Sequence, residues 1–315
     1  MTNSAYAAYD VSYTQRTPYL TVQEYQNAPT AMDIFNLIPG GDINVQMQAL
    51  TEVISRASSW IDQYTCGAWG TLCATQNVEN GRVWGNRYGQ IIVHPKYWPI
   101  LSVDTFSYSA VTAPGWGAAG ATAGFGTNAA SISPAGNVWI EPQQFIVQPG
   151  GTAQWNLNST YGITTSEYLC QWTYTNGWPV TTLAQPAVAG DTSITPVTIT
   201  GIYPGTNLKI YDMPNDETIT VASTYVPGSA VVPLVSPLWT SHSTSAMITN
   251  IPPAIKQAAI LATTAFIKQR GSGALVVQDI GELSRTITGA SQNSLSDWDQ
   301  AETLLKPFRQ IMVGY

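Results

Sequence analysis

Few residues of this 315-residue chain are of a type and spacing that could do chemistry. There are two histidines, His94 and His242. Neither has a Cys or His partner at ligand spacing, so no zinc site is expected. Cys66, Cys73 and Cys170 make an odd count at non-metal spacings; three reduced thiols are expected, with a Cys66–Cys73 disulfide as the alternative. Asp212, Asp216 and Glu217 cluster in one turn. The Gly and Glu positions of a calcium loop are missing there, so a solvated turn is expected rather than a cation site. The chain has no G-x-S-x-G, no phosphate-binding P-loop and no dinucleotide fingerprint after a strand. No carboxylate stands out among the 19 as half of a glycosidase pair. Asn158-Ser159-Thr160 is a glycosylation sequon, meaningful only in a secreted protein. The residues therefore point away from catalysis, cofactors and metals.

Composition points toward contact. Only 10% of residues are charged, well under the usual quarter, and Thr, Ser, Ala, Gly, Asn and Gln fill the gap. With 11 Trp and 16 Tyr, much of the surface reads as destined for other protein, or alternatively for sugar. The net charge of −7 argues against a protein that grips nucleic-acid phosphates. It is compatible with a surface that lets DNA slide past. MTNSAYAAYD has neither the basic region nor the apolar run of an export signal, and no stretch is long enough to span a membrane.

The fold class read from the pattern is α+β: a helical bundle, a sheet or hairpin part and an inserted all-β module. The organising element is Asp42–Gly67, where Ile43, Met47, Leu50, Ile54, Ala57, Ile61 and Tyr64 make one apolar helical face. Met47, Leu50, Ile54 and Ile61 are its expected core residues. Asp42 is the expected N-cap and Gly67 the C′ residue. Residues 1–20 read as an extended arm that only a partner would order. Short helices are expected at Thr21–Tyr25 and Ala31–Leu37. Strands are expected at 82–84, 90–93, 101–106, 138–147 and 167–174. The tract 109–137 carries no charge and no period.

Residues 183–250 read as a separate β unit, a small barrel or sandwich of short β-branched segments punctuated by Gly190-Asp191, Pro204-Gly205, Pro214-Asn215 and Pro227-Gly228. Pro253 then opens a helix with a narrow face of Ile255, Ala258, Ala259, Ala262 and Phe266, ended by Gly271. A last helix opens at Ser296-Asp297-Trp298-Asp299 and is stopped by Pro307. The tail KPFRQIMVGY, Lys306–Tyr315, is apolar.

Six stretches in this order resemble the head–tail connector (adaptor) proteins of long-tailed bacteriophages. They are YLTVQEYQNA (19–28), ALTEVISRASSWIDQYTCG (49–67), HPKYWPILSVDTFSY (94–108), IPPAIKQAAILATTAFIKQRG (251–271), DIGELS (279–284) and LLKPFR (304–309). The likeness covers about half the residues, and its specificity lies in the order. In that family a strand ending in a Gly-aromatic turn runs almost directly into the Ile-Pro-Pro helix. Here Thr175–Pro179 and Asn250–Pro253 are separated by the β unit, which therefore reads as an insertion into a core of 21–182 and 251–315.

The resemblance implies a non-enzymatic structural protein of the virion neck: a homo-oligomeric, twelve-fold ring closed by head-to-tail contacts. It would sit between the portal and the next neck or tail protein and continue the DNA channel. It implies assembly from bacterial cytoplasm, with no membrane and no cofactor. It also implies that the C-terminal segment docks on the portal, through Phe308, Arg309, Ile311, Met312 and Tyr315. Two other readings stand beside it: a secreted carbohydrate-binding or carbohydrate-cleaving β protein, and a different tail or decoration protein of the virion.

Overall fold

The computed structural model describes residues 18–30, 32–67, 70–86, 90–110, 130–132, 138–147, 167–275 and 296–310. The fold is α+β. Strand slightly exceeds helix, 31% against 28%, so the helical bundle of the sequence reading is not what the described residues show. The chain forms two compact units, one of residues 1–61 and 254–304, the other of residues 62–253 and 305–315. The expected module limits, 183 and 250, are thus not unit limits.

The first unit contains α1 (Val22–Asn27), most of α2 (Ile43–Cys66), most of α3 (Pro253–Leu275) and nearly all of α4 (Asp297–Leu305). α1 starts at a capping box: Thr21 Oγ1 accepts the Glu24 amide, and the Glu24 carboxylate accepts the Thr21 amide. Glu24 also takes a 2.6 Å ion pair from Lys256 of α3, with both side chains largely buried. The Tyr25 hydroxyl reaches Thr264 of α3. The Tyr19 amide donates to Ser58 of α2, so residues 18–20 are held by their own chain rather than belonging to a free arm. The Trp298 ring meets Trp60 of α2 and Phe266 of α3 edge-on. Its helix opens with Ser296 and Asp299 bonded reciprocally, a capping box with Asp in place of Glu.

Asp42 caps α2 through the Val45 amide, and Gly67 follows it at φ +78°. Leu50, Ile54 and Ile61 are buried, whereas Met47 and Tyr64 are half-buried and Ile43 is 52% exposed. The buried stripe is rotated from the expected one and includes Gln46, Ser58, Asp62 and Thr65. These polar residues can be inside because the chain supplies them with partners. Gln46 binds both backbone groups of Ile38, and Asp62 accepts the Leu72 amide.

No helix forms at 32–37; Asp33 instead accepts the Phe35 amide and sets a turn. Ala31 lies outside the described residues. α3 runs through Gly271 to Leu275, because a glycine costs only about 1 kcal/mol in a helix already propagating.

The second unit holds three sheets and a two-stranded ribbon. One sheet has the order β1-β7-β3-β4, made of Thr75–Trp84, Glu167–Asn176, Ile100–Ala110 and Ala130–Ile132. β4 thus lies inside the tract that shows no period in the sequence. A second sheet has the order β2-β6-β5, made of Ile91–Val93, Phe145–Val147 and Val138–Ile140. The two share a core of Phe106, Phe145, Trp172 and Tyr174 with surrounding aliphatics. Gly177, at φ +90°, lies against the Leu72 and Cys73 carbonyls, where a Cβ would collide.

Residues 180–249 form the third sheet and the ribbon. The sheet order is β11-β10-β13-β8: Glu217–Thr220, Asn207–Tyr211, Met247–Thr249 and Val180–Thr182. The ribbon pairs β12 (Val232–Pro233) with β9 (Ser193–Ile194). They enclose a separate core that includes Leu183, Leu208, Ile210, Val221 and Ile248. Val180 pairs with Thr249, so the two ends of this segment lie side by side. Gly201 packs on Ala74, and Ser102 and Tyr203 share a hydroxyl bond, which seat the module on the neighbouring strands.

Candidate functional site

The C-terminal segment is shaped by Pro307, which converts the end of α4 into a 3-10 turn over Lys306–Phe308. The Phe308 ring stands edge-on to Trp178, centroids 5.8 Å apart. The Arg309 guanidinium lies 5.6 Å from the centre of the Tyr64 ring. The Gln310 amide donates to the Thr65 carbonyl at 2.8 Å, and its side chain donates to the Trp98 carbonyl at 2.6 Å. The segment thus returns onto its own unit as far as residue 310. Phe308 is half-buried there, and Arg309 has an aromatic neighbour within the chain. Ile311, Met312 and Tyr315 lie outside the described residues.

His94 is exposed just past β2. All three cysteines are free thiols, and burial pushes the Cys170 thiol up to about 12, which leaves it unreactive. The sequon at 158–160 lies outside the described residues. Among the described residues no group of His, Cys, Asp or Glu is arranged to hold a metal ion.

His242 is the residue that spacing rules passed over. Its ring is fully buried, with Nε2 3.2 Å from Glu217 Oε2 and Nδ1 3.8 Å from Asp212 Oδ2. It lies 25 residues from Glu217, so no local pattern could mark it. Only the pairing of Ala187 with His242 across the module brings it inward.

The acidic turn is likewise spent on structure. Burial raises the Glu217 pKa, but the Trp239 and Thr240 amides, the His242 ring and the Thr240 hydroxyl outweigh it, and the carboxyl is held below its usual range. Asp212 accepts the Ser243 amide and hydroxyl. Asp216 accepts the Asp212 amide and pairs with Lys209. The turn is a carboxylate-knotted loop closure.

Several large apolar side chains remain open on both units. On the first unit, Phe35, Ile38, Ile43 and Val45 are exposed around the loop that Gln46 braces. On the second, Val78, Trp84, Trp139 and Ile140 are exposed. By contrast, the Ala258, Ala259 and Ala262 face of α3 is buried. No family model matches the chain, and no curated protein matches it. No helix among the described residues is long and apolar enough to cross a membrane.

Proposed function

We propose that this chain is a structural protein of a bacteriophage neck. It would form a ring between the portal and the tail, continue the DNA channel and carry the next neck or tail protein. The observation that supports this reading is the ordered series of six stretches resembling the connector family. The pairing of Val180 with Thr249 is consistent with it, because removing the insertion would leave the two interrupted family segments adjacent. The exposed apolar side chains on both units are suitable material for subunit contacts. The negative net charge suits a channel that DNA must pass through without sticking. The mechanism is assembly and passage rather than catalysis.

Portal docking by the C-terminal segment belongs to this proposal. Phe308 and Arg309 already serve the fold of their own unit, so the separable part is 311–315. Deleting residues 311–315 should leave the circular dichroism spectrum and melting temperature unchanged while abolishing attachment to portal-bearing heads. A truncated chain that still attaches contradicts docking by this segment.

A further inference from the structure

The imidazole of His242 sits where neither neutral form is well served. Its backbone is fixed, because His242 and Ala187 exchange amide-to-carbonyl bonds of 2.8 and 3.1 Å. Its ring is fully enclosed, and a carboxylate of the turn between β10 and β11 faces each ring nitrogen. Nε2 lies 3.2 Å from Glu217 Oε2. Nδ1 lies 3.8 Å from Asp212 Oδ2 and has no hydrogen-bond partner among the described residues.

A neutral imidazole carries one N–H and one lone pair. With the proton on Nε2, the Nδ1 lone pair is buried, unpartnered and turned toward Asp212. With the proton on Nδ1, the Nε2 lone pair lies 3.2 Å from the Glu217 carboxylate. A bond from the Thr240 hydroxyl, 3.4 Å from Nε2, leaves that repulsion in place. The imidazolium alone presents a proton to each carboxylate. Burial by itself favours the uncharged ring, so the surrounding charge decides. Glu217 holds the Trp239 amide and the Thr240 amide and hydroxyl, and Asp212 holds the Ser243 amide and hydroxyl, all neutral donors. Lys209 is committed to Asp216 at 3.1 Å and lies over the Tyr211 ring. Asp191, on the turn just past Ala187, accepts the Val188 amide and adds negative charge on that side. Four carboxylates thus stand around the ring against one lysine. The two that face it are also the two that tie down Trp239, Thr240 and Ser243, so the proton on the ring acts on the closure of this loop.

We propose that His242 is a proton-operated clasp of the β module: its imidazolium ties Asp212 to Glu217 and closes residues 239–243 on the β10–β11 turn, and loss of the proton loosens that closure. The clasp contributes stability where the ring is protonated and loses it as pH rises. On the acid side it lasts as long as the carboxylates are charged, and Glu217 keeps its charge to below the usual 4.5. The contacts lie within the module, so the clasp stands or falls independently of the neck reading.

The test uses the full chain carrying His94→Gln, which leaves His242 as the only histidine, so that its ring nitrogens are read without ambiguity by long-range 1H–15N NMR. Both nitrogens should be protonated at about pH 7, where an ordinary imidazole is mostly neutral. Hydrogen exchange at the Thr240 and Ser243 amides, corrected for the intrinsic rate, should be roughly three- to tenfold more protected at about pH 6 than at about pH 9. His242→Gln, which keeps a donor but does not titrate, should remove that difference. If His242→Gln does not fold, Asp212→Asn takes its place, since it keeps an acceptor for Ser243 without the charge, and it should shrink the difference. A neutral ring at the first pH overturns the proposal. So does equal protection at the two exchange conditions, or a difference that the variant leaves unchanged.

Discussion

At the level of single residues, burial separates side chains that the sequence made look alike. Leu50 and Ile43 share one helical period, yet Leu50 is fully buried and Ile43 mostly open. Leu50→Ala should cost about 2–5 kcal/mol in urea denaturation, the range for a truncated buried Leu. Ile43→Ala should cost under about 1 kcal/mol in the same experiment. Equal costs would contradict the observed packing. Glu217 gives a pH signature. Its folded pKa lies below the usual 4.5, so its stabilising contribution is complete above that value. The contribution is lost as pH falls through the folded pKa. The melting temperature should therefore drop as pH falls below the usual 4.5, and Glu217→Gln should flatten that part of the drop. An unchanged slope in Glu217→Gln would show that other carboxylates set it. The apolar period made Leu50 legible. Nothing legible marked Gln46, Ser58 or Asp62 as buried, because their partners are backbone groups of loops that only the folded chain brings near.

At the level of elements, capping chemistry was the best guide. Thr21, Asp42, Ser296 and Pro307 set the helix limits that their side chains or ring dictate. Glycine was a poorer guide, since Gly271 does not stop α3. The helix read at 31–37 failed because Asp33 turns the chain locally. Strands were legible where β-branched residues cluster, as in 91–93 and 217–220. The first six residues of β1, Thr75–Asn80, are mostly polar, and pairing with β7 makes them a strand. The module of residues 180–249 has its own apolar core and paired ends. Replacing residues 183–246 with a short Gly/Ser linker should therefore keep the helical dichroism at 222 nm. Some stability should be lost, because Gly201 and Tyr203 seat the module on Ala74 and Ser102. Loss of the helical signal would mean that the module is needed to fold the rest.

At the level of the whole molecule, the chain combines low charge with exposed apolar side chains on both units, and among the described residues no group of His, Cys, Asp or Glu is arranged to hold a metal ion. Exposed apolar side chains are suitable material for contact with other protein. The particular contact, a ring beneath a portal, rests on the order of the family-like stretches, which a sequence displays and a single folded chain does not. Its most direct test is electron microscopy of the purified protein, alone and mixed with portal-bearing heads. The neck proposal predicts closed rings with an open central channel, formed by the protein alone or on the portal vertex. Monomers in both preparations, at concentrations where ring proteins assemble, would contradict it.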